Sequence, residues 1–148
     1  TYAPMDEVKL WASGKPLAGI NHKAILTNLS YYMGVNPRRA PFKDPLVRQA
    51  VKYAVDRSEI NAALYGGLAH EHNQPFTPQS FWYHADVPYP KPDINKAKDL
   101  MKQAGLASGT TAVFNCYNVH QQFSELLAAQ MARIGINVQK LTRPLRNR

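Results

Sequence analysis

The stretch T-T-A-V-F-N-C-Y-N-V-H-Q-Q-F-S-E-L-L-A-A-Q-M-A-R-I-G-I-N-V-Q-K-L, residues 110–141, determines the fold class. β-Forming residues dominate Thr110–Tyr117, and the following segment Gln121–Ile134 carries apolar residues at helical spacing. After Gly135, a second β-forming run covers Ile136–Leu141. A strand, a helix and a strand with such short joins predict a βαβ unit, with parallel strands and a right-handed crossover. The fold class is therefore predicted to be α/β.

Capping residues predict three helices upstream of this unit. Asp44 followed by Pro45 is a strong helix start, because the carboxylate accepts from free amides and proline suits the first turn. Asp56 and Ser58 offer a second start, and Asp93 offers a third. Glycines that would end the second and third helices follow at positions 66, 67 and 105.

The remaining segments contain one further predicted helix, predicted strands and two loops. Met5–Ala12 has helical spacing and is followed by Gly14, which suits a helix end. His22–Asn36 is rich in β-formers and predicts one or two strands. The basic run Asn36–Lys43 is predicted to be a loop, and the prolines and aromatics of Ala69–Pro92 predict a long packed loop.

Composition limits the classes of protein to which the chain can belong. With 148 residues and 45% apolar residues, the chain can form a globular core, and no apolar run approaches the ~20 residues that span a bilayer. A single cysteine, Cys116, excludes an internal disulfide framework. The net charge of +8 leaves a nucleic-acid-binding module as an alternative, but the cations are spread along the chain rather than clustered. We therefore expect no nucleic-acid partner.

Cys116 and His120 raise the alternative of a cysteine hydrolase. A helix N-terminus can activate a thiol, and a histidine four residues away could accept its proton. No third orienting group or oxyanion motif accompanies the pair in the sequence. A small residue packed at a strand end is the simpler interpretation, so we expect no enzyme activity.

A histidine-rich segment raises the alternative of a metal site. Its candidate ligands are His70, Glu71, His72, His84 and Asp86. Histidines two residues apart share a face only in a strand, and the surrounding prolines argue against one. We expect neither a metal nor another cofactor.

The run Y-Y-M-G-V-N-P-R-R-A-P-F-K-D-P-L-V-R-Q-A-V-K-Y-A-V-D-R-S-E-I, residues 31–60, resembles the signature region of the family 5 extracellular solute-binding proteins. In that family an apolar residue and asparagine end a strand, followed by P-F-x-D-x-x-V-R-Q-A and A-(I/V)-(D/N)-(K/R). The matching segments, including three later ones, are Val35–Asn36, Pro41–Ala50, Ala54–Arg57, Leu64–Gly67, Asp93–Gly105 and Ala128–Val138.

The resemblance implies part of one lobe of a periplasmic-binding-protein-like fold of type II, namely its C-terminal lobe. It also implies an ABC-importer substrate-binding protein at the periplasmic or extracellular face of the membrane. Such a protein captures a small solute, here expected to be a peptide or peptide-like compound, and delivers it to a membrane permease. We expect a lead-in helix and strand near the interlobe crossover over residues 1–30, the lobe fragment over 31–141 and an unplaced basic tail over 142–148.

The candidate ligand-binding residues are Tyr117, Asn118, His120 and Tyr32. The first three lie in the loop where peptide-binding members of the family hold the ligand carboxylate. Unlike those members, this chain has no arginine between Thr110 and Gln122, which argues against a dipeptide ligand. Tyr31 and Tyr32 are adjacent, so if they lie on a strand only one of them can face the ligand from a given side. Uncovered sheet edges would also favour self-association of the fragment.

Overall fold

The computed structural model describes residues 5–15, 19 and 30–144. The chain divides into two units. The first contains the described part of Thr1–Met33 together with Arg57–Pro88, and the second contains Gly34–Asp56 and the described part of Tyr89–Arg148. The regular elements among the described residues are α1 (Met5–Ala12), α2 (Pro45–Ala54), α3 (Arg57–Tyr65), α4 (Ile94–Gln103), β1 (Thr110–Tyr117), α5 (Gln121–Ala132) and β2 (Ile136–Arg143).

The predicted βαβ unit is confirmed in the second unit. β1 and β2 pair in parallel, in a register that runs from Thr110 opposite Ile136 to Tyr117 opposite Arg143. A short 3₁₀ turn, Asn118–His120, leads from β1 into α5. β2 continues two residues beyond its predicted end at Leu141, so Thr142 and Arg143 belong to the strand. β2 is therefore two residues longer than the sequence pattern predicts.

The two faces of this parallel pair differ in burial. α5 packs against both strands. On the covered face, Ala112 and Ile136 are 2% and 0% exposed. The α5 residues Leu127 and Met131 are also buried, at 4% and 0% exposure. On the alternate positions of the strands, Val113 is 52% exposed. Because successive strand residues point to opposite faces, one face of the pair is covered by α5 and the other is open in the described part of the chain.

α2 and α4 form the second packed pair of this unit, and both begin as predicted. The Asp44 carboxylate accepts a hydrogen bond from Leu46 N at 2.7 Å, and the Asp93 carboxylate accepts from Lys96 N at 2.9 Å. Each bond satisfies one of the amides that a helix N-terminus leaves without a partner. The apolar faces meet through Val47, Ala50, Val51 and Ala54 of α2 and Ala97, Leu100 and Met101 of α4.

A buried glutamine joins α5 to the segment that follows α2. Gln130 is 1% exposed, and its Nε2 donates to the Asp56 carbonyl oxygen at 3.0 Å. The Asp56 amide donates to Gln130 Oε1, also at 3.0 Å. The side chain thus satisfies both backbone polar groups of a residue 74 positions away in sequence.

In the first unit, α3 is followed by a chain reversal that the side-chain amide of Asn61 stabilises. Asn61 is 8% exposed; its Nδ2 donates to the Ala69 carbonyl at 2.9 Å, and its Oδ1 accepts from Ala69 N at 3.0 Å. Ser58, expected as a possible start of this helix, lies inside α3, where its hydroxyl donates to Glu71 Oε2 at 3.0 Å. The predicted glycine stop is confirmed, since Gly66 and Gly67 both have positive φ.

The predicted strand ending at Asn36 is wrong over residues 30–36, which form no strand. Residues 22–29 of that prediction lie outside the described residues. β-Forming side chains favour an extended backbone, but a strand also needs a neighbouring backbone with which to pair. Residues 30–36 have no such pairing within the described chain.

The predicted long loop over Ala69–Pro92 is confirmed as turns without helix or strand. Gln74 Oε1 accepts from His84 N at 3.1 Å, and Gln74 Nε2 donates to the His84 carbonyl. Within the loop that these bonds close, Phe81 and Trp82 are 89% and 62% exposed, with ring centroids 5.3 Å apart in an edge-to-face arrangement.

The described helices include none that combines the length and apolar character needed to cross a membrane.

Candidate functional site

Three of the predicted site residues lie at the carboxyl edge of the parallel strands. Tyr117 ends β1 and is 50% exposed, and Asn118 and His120 form the 3₁₀ turn that follows. Ligands of α/β sheets bind outside the carboxyl ends of the strands, where the loops converge. The βαβ topology therefore brings the three residues to an edge suited to ligand binding.

The N-terminus of α5 adds backbone donors to this edge. The N-cap residue His120 makes no side-chain capping hydrogen bond to α5. The Asn118 oxygen is engaged locally, because its Oδ1 accepts from Val119 N at 2.9 Å, whereas its amide nitrogen is the group that could donate to a ligand. Helix N-termini attract anionic groups through their amides and the helix dipole. The edge is chemically suited to a ligand that carries a negative charge.

Tyr32 lies in the other unit and is 74% exposed. Because residues 30–36 form no strand, the expectation that only one of Tyr31 and Tyr32 can face a ligand loses its basis. Tyr31 packs near Tyr65, with ring centroids 6.0 Å apart. Burial, together with the neighbouring Tyr31, raises the pKa of Tyr65 to about 12. Tyr31 is thus tied to α3, and Tyr32 is the more exposed of the pair.

Cys116 lies one residue before the end of β1. Its sulfur is 3.9 Å from the hydroxyl oxygen of Thr142, its register partner on β2. The thiol therefore has a contact across the sheet, as expected for a small residue packed near a strand terminus. This contact provides none of the groups that orient a catalytic histidine.

The histidine-rich segment does not assemble a metal site in the described residues, which contain no group of three potential ligands. The Glu71 carboxylate is already occupied, since it accepts from Ser58 at 3.0 Å and from Asn61 Nδ2 at 3.3 Å. His72 Nε2 lies 3.4 Å from Ser30 Oγ. These contacts hold the start of the loop against α3.

Surface depressions lie at the opposite, amino-terminal edge of the strands. One, of about 490 Å³, is lined by Gly109, Thr110, Gly135 and Ile136, among others. The approach of the two glycines is close, because a Cβ added at Gly109 would lie 2.9 Å from the Gly135 carbonyl oxygen. We place the candidate site at the carboxyl edge because the exposed polar groups and the start of α5 lie there.

Ser124 is expected to lower the stability of the protein. It lies in the first turn of α5, is 4% exposed, and its hydroxyl has no hydrogen-bond partner among the described residues. Because a buried hydroxyl without a partner carries an uncompensated desolvation cost, Ser124→Ala should raise the free energy of unfolding by about 1 kcal/mol. Urea denaturation followed by circular dichroism measures the change. The control Ser58→Ala, which removes the bond to Glu71, should give no gain. A loss of stability in Ser124→Ala would contradict this prediction.

Comparison with known proteins identifies the family. The model of the bacterial extracellular solute-binding proteins, family 5, matches residues 6–146. The chain belongs to this family. The resemblance found in the sequence is thereby confirmed, and the family is one of solute-binding proteins rather than enzymes.

Individual members of family 5 are similar over most of the chain. The glutathione-binding protein GsiB of Pectobacterium atrosepticum is 30% identical over 140 residues, which cover 92% of the chain and 26% of the relative. Heme-binding protein A of Haemophilus influenzae is 33% identical over 121 residues, covering 75% and 22%. The periplasmic binding protein DppA of Helicobacter pylori, solved in complex with the peptide STSA, has a TM-score of 0.70 at 28% identity, covering 74% and 22%.

HbpA2 of Haemophilus parasuis is a second similar solved structure, with a TM-score of 0.68 at 26% identity, covering 74% of the chain and 23% of that protein. Together with DppA it confirms the predicted fold class, a periplasmic-binding-protein fold of type II. The chain spans about a quarter of the length of the relatives it matches.

Proposed function

We propose that the chain is part of an ABC-importer substrate-binding protein that captures a peptide or peptide-like solute and delivers it to a membrane permease. The observation that carries this proposal is the carboxyl edge of β1, where Tyr117 and the Asn118–His120 turn lead into the N-terminus of α5. In a solute-binding protein of this family, that edge offers hydrogen-bonding groups, an aromatic ring and helix amides to one ligand.

The choice of a peptide-like solute is supported by the chemistry of the edge and by the relatives. Backbone amides and an amide side chain suit a ligand with carboxylate and peptide groups. One similar protein is named for glutathione, and one similar structure holds the peptide STSA. Heme is the ligand named for another relative, so family membership alone does not select the solute.

The proposal places the parent protein at the periplasmic or extracellular face of the membrane, with the permease as its partner. It assigns no catalytic role to Cys116 or His120. It also assigns no nucleic-acid partner, because the cations are spread along the chain, over helices, loops and β2, instead of forming one stripe with aromatics between them.

Native mass spectrometry of the full-length parent protein, purified from its source, tests the function directly. We expect a bound small solute, and calorimetry with that solute should give a saturable one-site isotherm. A protein that carries no solute and binds neither glutathione nor small peptides would contradict the proposed function.

Substituting the turn residues in the parent protein tests the position of the site. Asn118→Ala and His120→Ala should each weaken solute binding by about 1 to 3 kcal/mol, because each would remove a buried hydrogen bond to the solute. Asn137→Ala is the matched control, since Asn137 is exposed and lies near the amino end of β2. Calorimetry should show unchanged affinity for the control. If both turn variants bound the solute with wild-type affinity, the solute-binding site would not lie at this edge.

A further inference from the structure

Arg143 reaches the carboxyl edge of the sheet through the pairing of the strands. It is the last residue of β2, and the parallel register places it directly opposite Tyr117, the last residue of β1. Both side chains are exposed. An arginine is therefore present at the edge where the proposed solute would bind, although the loop after β1 contains none.

The two side chains also share a face of the sheet. Lys140 Nζ lies 3.2 Å from Glu125 Oε1, so the Lys140 side chain is directed towards α5. Arg143 is three positions further along β2, and residues an odd number of positions apart point to opposite faces. Arg143 and its register partner Tyr117 thus lie on the face that α5 leaves open, together with Val113 and Leu141 at 52% exposure each.

The electrostatic surroundings leave the Arg143 cation suited to an anionic partner. Neither β1 nor β2 contains an aspartate or glutamate. The one acid of α5, Glu125, lies on the other side of the sheet, where its carboxylate accepts hydrogen bonds from Lys140 and Gln121. A guanidinium binds a carboxylate through two parallel hydrogen bonds, and a tyrosine hydroxyl can donate a third.

We infer that Arg143 and Tyr117 together bind a carboxylate of the captured solute at the carboxyl edge of β1 and β2. This inference rests on the proposed function and specifies its solute class as carboxylate-bearing. Arg143 fixes the charge and orientation of the carboxylate, and Tyr117 adds a hydrogen bond and ring contact. The carboxylate preference of the protein is then encoded on β2 as well as in the turn after β1.

The test compares the peptide STSA with its C-terminal amide, using calorimetry on the full-length parent protein. The amide lacks the only carboxylate of this peptide. Wild-type protein should bind STSA about tenfold or more tightly than the amide, because charge-assisted bonds are lost with the carboxylate. Arg143→Gln should remove most of this preference by lowering STSA affinity, and should leave amide binding unchanged. Tyr117→Phe should lower STSA affinity less than Arg143→Gln does.

Two further variants separate the inference from general effects of charge and folding. Lys140→Gln removes a cation from the other face of β2 and should keep the wild-type preference for STSA. Arg143→Lys keeps the charge but lacks the paired donors, so its preference should fall between those of wild type and Arg143→Gln. It also serves as the readout if Arg143→Gln does not fold, as judged by its thermal midpoint.

Each outcome bears on a different proposal. A full preference for STSA in Arg143→Gln, or in Arg143→Lys where only that variant folds, overturns the inference and leaves the proposed function intact. A wild-type protein that binds both forms equally, or whose solute in native mass spectrometry has no carboxylate, does the same. A wild-type protein that binds no peptide and carries no solute overturns both.

Discussion

Replacing Gln130 by methionine is expected to lower the free energy of unfolding by about 2 to 4 kcal/mol. The Gln130 side chain is 1% exposed and makes two hydrogen bonds of 3.0 Å to the backbone of Asp56. Methionine has a similar length and fills the same space, but it cannot replace either bond. The Asp56 amide and carbonyl would each lose this partner in a partly buried position, and the costs would add.

Chemical denaturation of the Gln130→Met variant measures this loss. Gln122→Met is the matched control, because Gln122 lies on the same helix and is exposed. Its free energy of unfolding should change by less than about 0.5 kcal/mol, as is usual for surface positions. Equal stability of the two variants would show that the bonds between Gln130 and Asp56 contribute little to the folded state.

Gly109→Ala is expected to destabilise the protein by about 3 kcal/mol or more, through backbone strain together with a clash. Gly109 has φ +92°, and an added Cβ would lie 2.9 Å from the Gly135 carbonyl oxygen. That oxygen accepts a hydrogen bond from Thr110 N at 2.9 Å, next to the first register pair of β1 and β2. Relief of the clash therefore requires the two strands to shift where their pairing begins.

Gly105→Ala separates strain from clash. Gly105 also has a positive φ, of +74°, but no atom lies within 4 Å of its added Cβ. Its variant should lose only about 1 kcal/mol, which is the cost of placing alanine in the left-handed region. Thermal unfolding of both variants gives the comparison. Similar midpoints would mean that the approach of Gly109 to Gly135 has no energetic consequence.

Features that depend on neighbouring residues in sequence could be predicted. Asp44 and Asp93 cap their helices because a cap requires only a carboxylate a few residues from free amides. The βαβ unit could be predicted because a change of periodicity separates β1 from α5. The position of the turn Asn118–His120 follows from that unit, since the connection of two parallel strands leaves the first strand at the carboxyl edge of the sheet.

Features that depend on distant partners could not be predicted. Residues 30–36 have the composition of a strand, but composition does not supply the second backbone that a strand needs. The hydrogen bonds between Gln130 and Asp56 join positions 74 residues apart, and no local sequence pattern predicts them. Arg143 lay beyond the predicted end of β2, so only the observed register places it beside Tyr117.

The order of segments in the second unit has a consequence for synthesis on the ribosome. α2 belongs to Gly34–Asp56, whereas its packing partner α4 begins about 40 residues after α2 ends. At about 5 to 20 residues per second, the nascent chain waits roughly 2 to 8 s before α4 begins to be made. Throughout that interval, Val47, Ala50 and Val51 have no apolar surface of α4 to cover them. The apolar face of α2 therefore stays uncovered by α4 for seconds during synthesis. This is a condition in which chaperones that bind exposed apolar surface protect a protein from aggregation.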